Sequence, residues 1–204
     1  MRIILLTISF SFLLTPLLGQ TCIHDDLSQT LRITARAERK PGDSLIAFNC
    51  PIRVTISDKA SKNKIQVISF TATALYPRSF TKCSWVRSYT TGKNRNADIG
   101  DNDFGDIVVA DFNFDSLEDI AIKSDDENSG TYYRFYIQGK DKLFKLDSFL
   151  TDSMSIIPTY FNRTKRILTT YERAGALFYG EHRYRLDIRK TKWSMIRHRF
   201  IPVH

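Results

Sequence analysis

The segment DFNFDSLED, residues 111–119, carries oxygen-bearing side chains at its first, third, fifth and ninth positions: Asp111, Asn113, Asp115 and Asp119. Alternate side chains of a tightly curled loop converge on one point. Three carboxylates with an amide oxygen suit a hard cation that takes about six to eight oxygen ligands, which is the preference of calcium. Leu117, at the seventh position, would contribute its backbone carbonyl, so its apolar side chain is no obstacle. The pattern is not an EF-hand, because the twelfth position is Ile122 and not a bidentate Glu, and the flanks IVVA and IAI are strand-like. A water or a further carboxylate would complete the shell, and Asp98, Asp101 and Asp103 stand just upstream. The competing reading is an acidic turn between two strands, solvated and nothing more.

The elements that must position this loop are strands. Alternation with period two dominates the chain, and helical spacing is sparse. IRVTISD and KIQVISFTATA flank the polar turn 59–63 and predict a hairpin. TYYRFYIQ and KLFKLDSF surround GKD, where Gly139 is expected to supply the turn conformation. In the first of these, Tyr133, Phe135 and Ile137 should share one face and Tyr132, Arg134 and Tyr136 the other, as in a half-buried sheet. KRILTTYE, HRYRLDIRK and KWSMIRHRF continue the strands to the end of the chain. Helix is expected only between Asp25 and Lys40. No internal repeat is visible, which excludes a complete solenoid or propeller. The expectation is an all-β fold of antiparallel strands and hairpins with at most a short N-terminal helix. A lead, residues 20–43, would precede a single β domain, residues 44–204.

The first residues, MRIILLTISFSFLLTPLLG, combine one positive charge, a long apolar run and a small residue at Gly19. They read as a secretory signal peptide, residues 1–19, in preference to a membrane anchor or a lipoprotein signal acting at Cys22. The mature chain is then expected in the periplasm or secreted, with no stable membrane span, and disulfides become permissible. Of Cys22, Cys50 and Cys83, the pair Cys50–Cys83 is favoured, since both lie in the strand-rich body while Cys22 sits in the lead; three unpaired thiols are the alternative. The formal charge of +8 falls by one when Arg2 leaves with the leader. An exported basic protein meets lipid headgroups, cell-wall polymers or acidic proteins, not nucleic acid.

No nucleophile elbow, HExxH, phosphate-cradling glycine run or Cys/His metal spacing is present. His24, His182, His198 and His204 are scattered. A glycosidase pair drawn from Asp101, Asp103, Asp106 or Glu127 would be invisible to sequence spacing. The expectation is a protein that is not an enzyme.

FGDIVVADFNFDSLEDIAI, residues 104–122, resembles the FG-GAP and VCBS-type calcium repeat: Phe104-Gly105, an apolar strand, the DxNxDxxxD loop and a second apolar strand. Phe114 and Ser116 stand where that repeat usually has glycines, so Ser116 would take a conformation natural to glycine. The wider order, from IRVTISDKASKNKIQVI through the single loop and GTYYRFYIQ to FNRTKRILTTYERAGALFYGEHRYRLD, is similar to small exported Gram-negative proteins with one calcium repeat in a partial β-propeller. Some of these are periplasmic immunity proteins that inhibit lysozyme-like effectors. The resemblance implies Ca2+ held by Asp111, Asn113, Asp115, the Leu117 carbonyl and Asp119, and a protein partner, a peptidoglycan hydrolase. On that reading Tyr171–Arg185 is the candidate plug, with Arg173, Tyr179 and His182 at its exposed breaks; the alternative is a calcium-stabilised surface or adhesion module that binds a glycan or a protein and blocks no enzyme.

Overall fold

The computed structural model describes residues 21–40, 45–93, 103–127 and 130–202. The signal peptide, Asp98, Asp101 and His204 lie outside the described residues. The alternation of apolar and polar residues resolves into three sheets, each built from strands consecutive in sequence. The first holds β1 (Thr21–His24), β2 (Leu31–Ala37), β3 (Ala47–Asp58) and β4 (Lys64–Leu75). The second holds β5 (Val86–Ser88), β6 (Ile107–Ala110), β7 (Asp119–Glu127), β8 (Gly130–Gln138) and β9 (Phe144–Leu146). The third holds β10 (Tyr160–Asn162), β11 (Ile167–Arg173), β12 (Phe178–Asp187) and β13 (Lys192–Pro202). Pairing is antiparallel throughout except for β5 with β6, which run parallel in the register Val86↔Ile107. The fold is all-β.

The second sheet is the middle layer. Ile107, Val109, Ile120 and Ile122 point into one core shared with the first sheet, whose inward residues include Ile33, Ile52, Val54 and Ile56. Val108, Ala110 and Ala121, from the same two strands, point the other way into a second core with Leu168, Tyr184, Leu186 and Trp193 of the third sheet. Both faces of β6 and β7 are therefore covered, which is why their sequences run apolar without alternation. Tyr133 and Phe135 of β8 enter the second core and Tyr136 the first, so the two faces expected for this strand are the two that form.

Two local expectations are corrected. The segment Asp25–Lys40 is not helical: Leu31, Ile33, Ala35 and Ala37 are buried on one face of β2 while the intervening residues are half-buried. Period two and the pairing of β2 between β1 and β3 override its weak helical spacing. In the β8–β9 turn, the amide of Gly139 donates to Leu143 O at 2.8 Å, but the residue with positive φ is Lys142, at 64°. The β3–β4 hairpin turns where expected, with Asp58 Oδ1 accepting from the amides of Ala60 and Ser61 at 3.1 and 2.8 Å.

The disulfide also differs from expectation. Cys22, not Cys50, is bonded to Cys83. Residue 22 lies on β1, its side chain 3% exposed, so the segment expected as a lead is an integral edge strand of the first sheet. Cys50 is buried in β3 and takes no part in the bridge. The bond spans 61 residues of sequence and ties the N-terminal strand to the segment entering the middle sheet. On the chain-entropy argument a loop of that length contributes about 4 kcal/mol. Cys83→Ser should therefore lower the urea-unfolding free energy by about that amount. Reduced wild type should match the variant, and Cys50→Ser should retain the oxidised protein's mass and its bridge.

Candidate functional site

The loop between β6 and β7 begins where Ala110 pairs with Asp119 across the hairpin. Its odd and even residues separate. Phe112 is fully buried, with its ring centroid 5.0 Å from Phe135 and 5.9 Å from Phe161, and Phe114 lies 6.3 Å from Trp193. These two aromatics anchor the loop to the second core and leave Asp111, Asn113 and Asp115 to face one another. Phe114 and Ser116 take φ of 64° and 71°, the left-handed region usual for glycine.

The loop oxygens organise the backbone. Asp111 accepts from the amides of Asp115 and Ser116, each at 3.0 Å. Asn113 Oδ1 accepts from the Asp115 amide at 3.1 Å, and Asn113 Nδ2 donates to Asp115 Oδ2 at 2.8 Å. Asp115 Oδ1 accepts from the Leu117 amide at 2.8 Å. Asp119 is fully buried: one oxygen accepts from Phe112 and Asn113 amides at 2.8 and 3.3 Å, the other from the Gln138 amide at 2.9 Å. Burial pushes the Asp119 carboxyl up to about 8, against the pull of those amides, and burial likewise raises Asp111. Three carboxylates thus share one turn, and the cation beside them is Arg163, 3.0 Å from Asp111 Oδ2. The donor set is all oxygen and rich in negative charge, which suits a hard divalent ion. Among the described residues no group of three or more His, Cys, Asp or Glu side chains is arranged to hold a metal.

Two positioning residues escape a sequence reading. Arg163 belongs to NRT, a stretch that by sequence is only a glycosylation pattern, and reaches the loop from the β10–β11 turn. Glu118, inside the loop, accepts hydrogen bonds from the Ser28 hydroxyl and from the Gln29 amide at 3.3 Å, fastening the loop to the β1–β2 turn. Neither contact leaves a mark in local spacing.

Upstream, Gly105 has φ of 101°, and a Cβ there would stand 2.6 Å from the Trp85 carbonyl oxygen, so glycine is required where the chain passes the residue that precedes β5. Two of the carboxylates considered for a glycosidase pair, Asp103 and Asp106, belong to a buried ion cluster. Asp103, Asp106 and Asp126 surround the buried Lys123 ammonium at 2.9, 3.6 and 3.5 Å, and Arg78 lies 3.1 Å from Asp103. Asp103 therefore serves Lys123 and Arg78, not the loop. Burial opposes the Lys123 charge, but the three carboxylates more than offset it and hold the ammonium above its ordinary value.

The candidate partner residues divide between two faces. Arg173 and Tyr179 sit directly opposite each other near the end of the β11–β12 hairpin, whose turn is closed by the Ala174 amide donating to Phe178 O at 2.9 Å. His182 lies on the other face, opposite His198 with ring centroids 4.6 Å apart, and its Nδ1 is 3.2 Å from the Tyr184 hydroxyl. Burial, reinforced by His198, keeps the His182 imidazole below its ordinary value. The hairpin end carries exposed apolar residues, Leu177 at 69%, Phe200 at 62% and Phe178 at 42%.

No protein-family model and no curated protein matches the chain. Among solved structures it is similar to one titled as that of a Xanthomonas type IV secretion system related protein. The TM-score is 0.56 at 16% identity, over 92% of this chain and 83% of the other. The likeness is one of fold.

Ser116 is exposed and left-handed, so Ser116→Gly removes strain without removing packing. The variant should be more stable by about 1 kcal/mol in equilibrium urea unfolding, whereas Ser116→Val should lose at least as much.

Proposed function

We propose that this chain is an exported, calcium-binding protein without catalytic activity that binds and inhibits a lysozyme-like peptidoglycan hydrolase. The observation that carries the reading is the protruding end of the β11–β12 hairpin. Phe178 and Phe200, their ring centroids 6.5 Å apart, are exposed on one face of that end and Leu177 in its turn, while Arg173 and Tyr179 pair on the opposite face, so the tip joins apolar anchors to a cation, a combination that seats in a partner's cleft. Hydrolase clefts carry catalytic carboxylates, which Arg173 would face. The Cys22–Cys83 bridge supports an oxidising compartment, and a fold shared with a secretion-related protein supports an export-associated role.

Calcium would be held by Asp111, Asn113, Asp115, the Leu117 carbonyl and Asp119, where it would supply the positive charge that Arg163 alone only partly provides. Its role is structural. The loop joins the two strands buried between both cores, and Phe112 and Phe114 carry its position into the third sheet that presents the hairpin.

Calcium should raise the melting temperature of the mature protein relative to chelator, and Asp115→Ala should abolish the difference. Equal melts for both proteins under both conditions would remove calcium from this reading. Added in stoichiometric amounts to lysozyme-like hydrolases, the wild type should halt clearing of peptidoglycan suspensions by its partner. Leu177→Asp should restore clearing while leaving the melting temperature unchanged. Binding to a hydrolase without loss of its activity would instead favour a surface or adhesion module.

A further inference from the structure

The outer face of the third sheet carries a different chemistry from its hairpin end. Cross-strand register places Tyr160, Thr169, Arg183 and Arg197 in one row and Asn162, Ile167, Arg185 and Ser194 in the next. Tyr171, Glu181 and Arg199 form the row beyond. Arg183 and Arg197 are direct neighbours on antiparallel strands, a like-charge pairing that costs stability unless an anion offsets it. The chain supplies one such anion. Glu181, 1% exposed, accepts hydrogen bonds from Arg199 at 3.0 and 2.9 Å and from the Tyr171 hydroxyl at 3.1 Å, and is ion-paired with Arg183 at 3.0 Å and Arg197 at 3.7 Å.

Three guanidiniums around one carboxylate leave an excess of charge and of donors on a rigid sheet. That excess opens into a concavity of about 390 Å³ lined by Tyr160, Asn162, Lys165, Tyr171, Arg183 and Arg197. It adjoins a second, more open concavity through the shared residues Lys165, Arg185 and Ile196, where Arg166 and Arg189 add further cations. The groove is therefore longer than one small anion. Its contents are specific in kind: guanidiniums that pair with carboxylate or phosphate, an amide at Asn162, and Tyr160, 58% exposed, whose ring offers a flat apolar face. A flat membrane would meet the groove only at its rim. An acidic peptide would meet the guanidiniums as well, but a sugar ring also stacks flat on the Tyr160 face and turns hydroxyls toward the Asn162 amide.

We infer that this groove, floored by Arg183, Arg185 and Arg197 and flanked by Tyr160 and Tyr171, binds an extended acidic oligosaccharide. The inference is independent of hydrolase inhibition, which rests on the hairpin end. Isothermal titration of the mature protein at physiological salt tests it, with tetragalacturonate as the acidic probe and maltotetraose, inorganic phosphate, glutamate and phosphatidylglycerol vesicles as comparisons. Tetragalacturonate should bind at least tenfold more tightly than maltotetraose, phosphate or glutamate. Arg197→Gln should weaken it at least tenfold and Tyr160→Ala severalfold, while Arg53→Gln, on the first sheet, should change nothing. Arg185→Gln, exposed and outside the Glu181 cluster, serves if the Arg197 variant does not fold. Equal affinity for phosphate or glutamate would overturn the saccharide. So would stronger, groove-dependent binding to vesicles, unchanged binding in Tyr160→Ala, or absence of tetragalacturonate binding.

Discussion

Burial of the middle sheet on both faces is the constraint on which the rest depends. β6 pairs with β7 over only four residues of each strand, yet Ile107, Val109, Ile120 and Ile122 fill one core while Val108, Ala110 and Ala121 fill the other. A strand pair in that position cannot slip by one residue without exchanging the contents of two cores, so its register is fixed from both sides. The loop between these strands inherits that rigidity. Its acidic residues are held in place by a hairpin that has no exposed face and by two phenylalanines driven into the second core.

A buried polar cluster fastens the middle sheet to the first. Lys123 is 1% exposed among Asp103, Asp106 and Asp126, while Asp106 accepts from the Phe80 amide at 2.7 Å and Asp126 from the Ser79 hydroxyl at 2.6 Å. Burial pushes the Asp106 carboxyl up to about 7, with Lys123 pulling the other way. Such a cluster costs desolvation that its attractions roughly repay, and removal of one member leaves charge stranded in the interior. Its value here is directional: the turn that follows β4 can dock in one orientation only, and the same turn leads to Cys83, whose bridge brings in β1.

The third sheet shows what happens where only one face is needed for the core. Leu168, Tyr184, Leu186 and Trp193 are buried against the middle sheet, and the opposite face is left to arginines ordered around Glu181. Beyond the core the hairpin continues outward, so its end exposes Leu177, Phe178 and Phe200. One sheet thereby presents two surfaces of unlike chemistry, an apolar tip and a cationic groove, on a frame that neither has to stabilise.

The sequence by itself determined the class of fold, both central hairpins and the oxygen pattern of residues 111–119, because period-two alternation, turn residues and ligand spacing are local properties of the chain. It also marked Ser116 as a residue in a glycine's conformation, which its φ of 71° bears out. Tertiary structure alone decided what depends on distant segments meeting. The partner of Cys83 is Cys22 because β1 is an edge strand, not a lead; Arg163 and Glu118 reach the loop and its surroundings from or toward other sheets; and Asp103 is consumed by Lys123. The separation of His182 from Arg173 and Tyr179 follows from strand parity once register is known. The arginine groove is the clearest case. Its cations are dispersed in the sequence, and only cross-strand pairing lays Arg183 beside Arg197 over a single buried carboxylate.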